Sequence, residues 1–217
     1  MPLKKKDESD YSQGVAQSKV HPLYNDEKAD ITLVSDDGVQ FKVHSYYLKA
    51  MSPRSSVFRD MLHITSTSSN IEIDRPAKVL LLFLDYVCKD EPPVLLNEIA
   101  DYEPIINLAR RFACNRVIER IKLVALCLLY EKAFAFRVFC IASRLDDVRL
   151  AKCAVRQFCH ISHSFVRPDK ISVDAAKKCS LPYLLGLYRA MAVAEQLHSG
   201  EHEVDWVKVA AKFSPAA

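Results

Sequence analysis

Glycine is scarce in this chain, four residues among 217. That suits a helix-rich globular protein, and no Gly-x-x-x-x-Gly-Lys or Gly-x-Gly-x-x-Gly loop exists to cradle a phosphate. Gly-x-Ser-x-Gly and His-Glu-x-x-His are missing too, so no nucleophile elbow or zinc-protease helix is expected. No run of about 18 uncharged apolar residues occurs, so a spanning helix is not expected. The opening residues lack the apolar core of a signal peptide, and a cytosolic or nuclear protein is expected. A formal charge of +3 gives no large positive field for a phosphate backbone. Nucleic acid, membrane and small-molecule substrate are therefore not the expected partners. No Cys-x-x-Cys is present among the seven cysteines, and the reading is of small buried thiols in a reducing compartment. Cys114, Cys127, Cys140 and Cys153 recur every 13 residues, but the residues between them do not match, so no repeat is read.

What is present centres on residues 30–62. Ile31 and Leu33 alternate with Thr32 and Val34, and Val39, Phe41 and Val43 alternate with Gln40 and Lys42. Period-two patterning on both sides of Asp36-Asp37-Gly38 predicts a β-hairpin. From His44 the period changes to helical, with Tyr47 and Met51, then Phe58, Met61 and Leu62. Ser45 is read as the cap of a first short helix and Ser55 or Ser56 as the cap of a second.

Ahead of this unit, residues 1–27 are polar and read as a disordered tail. Lys4-Lys5-Lys6 is read as a solvated charge run. After it, Asn70-Ile71-Glu72-Ile73 predicts a strand, and Asp74 before Pro76 starts a central helix that is apolar all round. An extended piece is expected near Val94 to Leu96. Asp101 caps a helix bearing Ile105, Leu108 and Phe112; Asn115 is read as a turn, and Val117, Ile121, Val124 and Leu128 continue the pattern. From about residue 130 only helices are expected, one on Phe134, Val138 and Ile141 and one capped by Asp146. A third opens at Ser180-Leu181-Pro182 and runs to Gly200, and a last begins at Asp205. The class is α+β.

Residues 28–127 resemble the BTB/POZ family, a protein-interaction module. The likeness rests on Asp30-Ile31-Thr32-Leu33, Gly38, Phe41 with Val43-His44, Ser52-Pro53, and Val57-Phe58-Arg59-Asp60-Met61-Leu62. Leu84-Asp85-Tyr86 and Leu108-Ala109 also match family positions. The segment from Ala142 to Ala151 is similar to the helical extension of fungal-type members, placing residues 128–217 in such an extension. The resemblance implies a small β-sheet capped by a cluster of short helices. It implies a non-catalytic module, a homodimer through Tyr46, Tyr47, Leu48 and Met51, and a partner surface on Phe58, Met61 and Leu62. Asp30, Gly38 and His44 are then structural signature positions.

Three departures qualify that. Arg54-Ser55-Ser56 looks like an insertion between the two short helices. Ser45 stands where transcription-factor members carry a basic group beside the aspartate. His63-Ile64-Thr65 offers no hydrophobic-x-Glu motif of ubiquitin-ligase adaptors. A substrate adaptor of a cullin ubiquitin ligase is the alternative, with the helical extension recruiting the substrate.

Three places in the sequence offer chemistry-bearing side chains. Cys153, Cys159, His160 and His163 could share a zinc ion, but adjacent Cys159 and His160 point about 100° apart on a helix. A buried cysteine beside exposed histidines is preferred, and no metal or cofactor is expected. Asp146-Asp147 is read as a cap rather than a carboxylate pair, and His44 as a structural histidine at a strand-to-helix junction.

Overall fold

Leu33 faces Phe41 across an antiparallel pair of strands, β2 (Ile31–Ser35) and β3 (Gln40–Val43). In this computed structural model, which describes residues 19–52, 70–91, 102–160, 166–196 and 204–216, Ile31, Leu33, Phe41 and Val43 all point into the core. The turn between them needs a left-handed residue, and Gly38 supplies it at φ +78°. Ser35 N–H donates to Val39 O, and Gly38 N–H to Ser35 O, each at 3.0 Å. The β-hairpin is as the alternation predicts.

A strand precedes it. β1 (Val20–Asn25) pairs in parallel with β3, where the composition predicts a disordered tail. Two rings explain the difference: His21 stacks on Phe41 at 4.9 Å, and the Tyr24 hydroxyl donates to Asp85 Oδ1 at 2.8 Å. Backbone pairing and one distant carboxylate hold β1, so it shows no apolar alternation, and Pro22 and Leu23 stay exposed. β4 (Asn70–Ile73) lies parallel to β2, completing a mixed sheet of order β1-β3-β2-β4.

Helix α1 (Ser45–Met51) has His44, not Ser45, at its N-cap. Ser45 instead turns back to Asp30. Helix α2 (Ala77–Cys88) buries Leu80, Phe83, Leu84, Tyr86 and Val87. Its first N–H is met from the hairpin turn, where the Asp37 carboxylate accepts from Ala77 N–H at 3.1 Å, in place of the expected Asp74. Arg120, from a later helix, closes the other end by donating to the carbonyls of Tyr86, Lys89 and Asp90.

Helices α3 (Tyr102–Arg111) and α4 (Asn115–Leu128) are separated by Ala113 at φ +53°, so Asn115 is the first helical residue and not the turn. The piece expected near Val94 to Leu96, and the Asp101 cap, lie outside the described residues.

A short 3₁₀ turn (Lys132–Phe134) leads to α5 (Ala135–Leu145), α6 (Val148–Arg156), a second 3₁₀ turn (Gln157–His160), α7 (Val173–Lys177), α8 (Leu181–Gln196) and α9 (Trp206–Lys212). Asp146 ends α5 in the left-handed conformation at φ +56°, and its neighbour Asp147 caps α6 through Leu150 N–H at 2.9 Å. The cap is thus one residue later than the sequence reading. Phe139 is the hub of this half, with Phe158, Tyr183 and Phe213 edge-on to it at 5.6–6.2 Å. One continuous core runs from the sheet to α9, and Arg144 pairs with Glu103 at 3.1 Å across the junction.

Candidate interaction surface

α1 is only two turns long, and Tyr46, Tyr47, Leu48 and Met51 spread over more than one face of it, so its neighbours decide which of them show. Leu48 points into the core and has no accessible surface, so it is not part of an interface. Tyr46 is 56% exposed, and its ring lies 4.1 Å from that of half-buried Tyr47. The hydrogen bond with Tyr47 pushes the Tyr46 phenol up to about 12. On its other side Tyr46 meets the His44 ring at 5.5 Å. His44 Nε2 lies 2.9 Å from Asp26 Oδ2, and the Lys28 N–H and His44 together hold that carboxyl below its usual range.

Tyr47 lines an open concavity of about 230 Å³ together with Leu23, Tyr24, Asp26, His44 and Cys88. Leu23, 68% exposed, stands on β1, an edge strand of the sheet. The patch therefore joins two aromatic rings on α1 to an apolar side chain on a strand whose outer side has no strand partner among the described residues. Such an edge is a template for another chain unless something covers it. Met51 does not belong here. It lines a different concavity with Arg116, Arg120 and Leu123 of α4.

A second surface lies on α4. Val117, Ile121, Val124 and Leu128 are its buried stripe. Leu123 and Leu126 fall outside it and are 62% and 41% exposed; Tyr130 just beyond is 90% exposed. With Cys127, Leu129 and Gln157 they line an open concavity of about 470 Å³. Apolar residues off the buried stripe are the signal in the sequence for this face. β1 and Leu23 left no comparable signal.

Of the expected partner residues, Phe58, Met61 and Leu62 lie outside the described residues. Asp30, Gly38 and His44 are a helix-junction acceptor, a turn residue and an N-cap. Among the described residues no group of three or more His, Cys, Asp or Glu could hold a metal ion, and His163 of the candidate cluster falls outside them. The described part of that cluster includes Cys159, which is exposed and donates weakly to Arg156 O at 3.5 Å. Of the other cysteines, Cys114, Cys140 and Cys179 are buried and Cys127 is exposed.

A family model described as the BTB/POZ domain matches residues 21–124. The chain carries a BTB/POZ domain. Domains of this kind are protein–protein interaction modules, generally without catalysis, and the surfaces above belong to the matched region apart from Leu126 and the residues beyond it. The match starts inside β1, and the BTB/POZ domain is α+β: a four-stranded mixed sheet with helices, followed by a mostly helical region. No curated protein matches the chain. Among the described residues no helix is long and apolar enough to cross a membrane.

Proposed function

We propose that the protein is a non-catalytic module that self-associates about a two-fold axis and recruits a further protein in the cytoplasm or nucleus. The supporting observation is the patch of Leu23, Tyr46 and Tyr47 at the β1 edge. Aromatic residues are enriched at interface cores, and a two-fold axis lets one such patch cover its own copy. A stable pair needs a total burial of roughly 1,600 Å². The exposed side of β1 contributes area and hydrogen bonds beyond the rings alone. Residues 128–217 act as a helical extension of the module. Light scattering of the full chain tests this: twice the 24.6 kDa chain mass is expected, and a monomer at tens of micromolar removes the dimer.

A cullin-ligase adaptor is the second reading. The α4 face favours it, because Leu123, Leu126 and Tyr130 offer an apolar concavity apart from the self-association patch. Co-purification with a cullin that is lost in a Leu123→Glu, Tyr130→Glu variant supports the adaptor. Absence of cullin binding by the native chain at tens of micromolar rejects it.

A further inference from the structure

The charges of the chain nearly balance, 30 Lys and Arg against 27 Asp and Glu, but on α6 and α9 they do not. α6 carries Arg149, Lys152 and Arg156, α9 carries Lys208 and Lys212, and neither helix contains an acidic residue. Spacings of three and four set the α6 cations on one face, opposite its buried stripe. Lys208 and Lys212, four apart, likewise share the outer face of α9.

The two helices lie side by side. Trp206, the first residue of α9, stands edge-on to Phe158, just past the end of α6, at 5.3 Å. Lys152 Nζ reaches Ala211 O, next to Lys212, at 3.5 Å. The start of one helix is therefore beside the end of the other, and the five cations make one strip. Lys152 is half-buried and the other four are exposed.

Stability does not account for the strip. Like charges three and four apart on a helix repel. Arg156 and Lys212 lie in last turns, where the helix dipole favours a cation, but Arg149 is in the first turn of α6, where the dipole opposes it. Asp205 answers Lys208 at 3.4 Å, and Asp147, at the cap of α6, is engaged by Lys122 at 3.2 Å. Among the described residues Arg149, Arg156 and Lys212 have no carboxylate partner.

We propose that this strip docks an acidic, extended segment of another protein. Arg149 and Arg156 are about 10 Å apart along the helix axis, the length of roughly three extended residues. Each guanidinium can donate as a fork to a carboxylate, with the lysines supplying charge around them. The rings beneath the strip, Trp206 and Phe158, are buried and so offer no base a stacking surface. Val207 is its single exposed large apolar side chain, too little to enter a membrane.

The test is fluorescence anisotropy of the full chain with a fluorescein-labelled, glutamate-rich octapeptide, against the same peptide with glutamine. The glutamate peptide is expected to bind roughly tenfold tighter at low salt and to weaken severalfold at physiological salt. An Arg149→Glu, Arg156→Glu variant should lose that preference. Lys177→Glu, Lys178→Glu on α7, which changes the net charge equally, should keep it. In the native chain, carbodiimide should join the peptide to Lys152, Lys208 or Lys212 ahead of the other lysines, a readout that stands even if a variant folds poorly. Equal binding of the two peptides, equal loss in the two variants, or cross-links spread over all lysines overturns the proposal. Tighter binding of a single-stranded RNA oligonucleotide or of phosphatidylserine vesicles through the same arginines also overturns it.

Discussion

The Asp30 carboxylate accepts from both the N–H and the hydroxyl of Ser45, each at 2.6 Å. This clamp fixes the start of β2 to the start of α1 and so sets where Tyr46 and Tyr47 emerge. Burial alone raises the Asp30 carboxyl, but the Ser45 hydroxyl and N–H outweigh it and hold it below the usual carboxylate range. Ser45→Ala is expected to cost about 1 kcal/mol in urea unfolding. Asp30→Asn should be non-additive with it in a double-mutant cycle, and full additivity would show that the clamp is not a unit.

Tyr24 anchors β1 through the buried Asp85 carboxylate, which also accepts from Lys89 Nζ at 2.8 Å. Tyr24→Phe removes one hydrogen bond to a charged acceptor, about 1.5–3 kcal/mol. Amide exchange over Val20–Asn25 should accelerate more than exchange over Ile31–Ser35. Equal acceleration in both would mean that β1 is not held separately.

Much of this fold was legible because its determinants are local. The Asp36-Asp37-Gly38 turn, the Ile71 and Ile73 alternation and the Asp205 cap each sit within a few residues of what they specify. β1 was not legible, since Phe41 and Asp85, which hold it, are distant in sequence. Ser45 looked like a cap because a serine before an apolar helix usually is one. Its real partner is Asp30, 15 residues back. Asp146 and Asp147 are equivalent by propensity, and only the left-handed turn at Asp146 separates their roles. In the candidate site, the aromatic excess of α1 was visible, but the choice of Leu48 as the inward residue is made by packing against α2 and α4.

Asp147 joins the two halves of the chain, capping α6 while its Oδ2 lies 3.2 Å from Lys122 Nζ of α4. Burial alone raises its carboxyl, but the Leu150 N–H and Lys122 outweigh it and hold the group below the ordinary range. A carboxyl depressed on folding contributes stability that is full above its unfolded value, about 4, and is lost as pH falls through the folded value. Asp147→Asn should therefore lower the melting midpoint at pH 7 and flatten its fall toward pH 3. An unchanged acid limb would contradict this role.

Gly186 lets the C-terminal segment cross α8. A Cβ there would sit against the Ser214 carbonyl oxygen, and Ala216 N–H donates to Pro182 O at 2.8 Å beside it. Gly186→Ala is expected to cost about 1–3 kcal/mol and to expose the segment after Phe213 to carboxypeptidase. Native-like resistance to digestion would show that the crossing does not depend on glycine.

The most direct measurement of the central claim compares the native chain with a Leu23→Glu, Tyr46→Glu double variant by light scattering over a dilution series. Both side chains are more than half exposed in the single chain, so the variant should melt within a degree or two of the native protein. The expected result is a native dimer and a well-folded variant monomer. A variant that stays dimeric, or a native chain that is monomeric throughout, would contradict an association surface at β1 and α1.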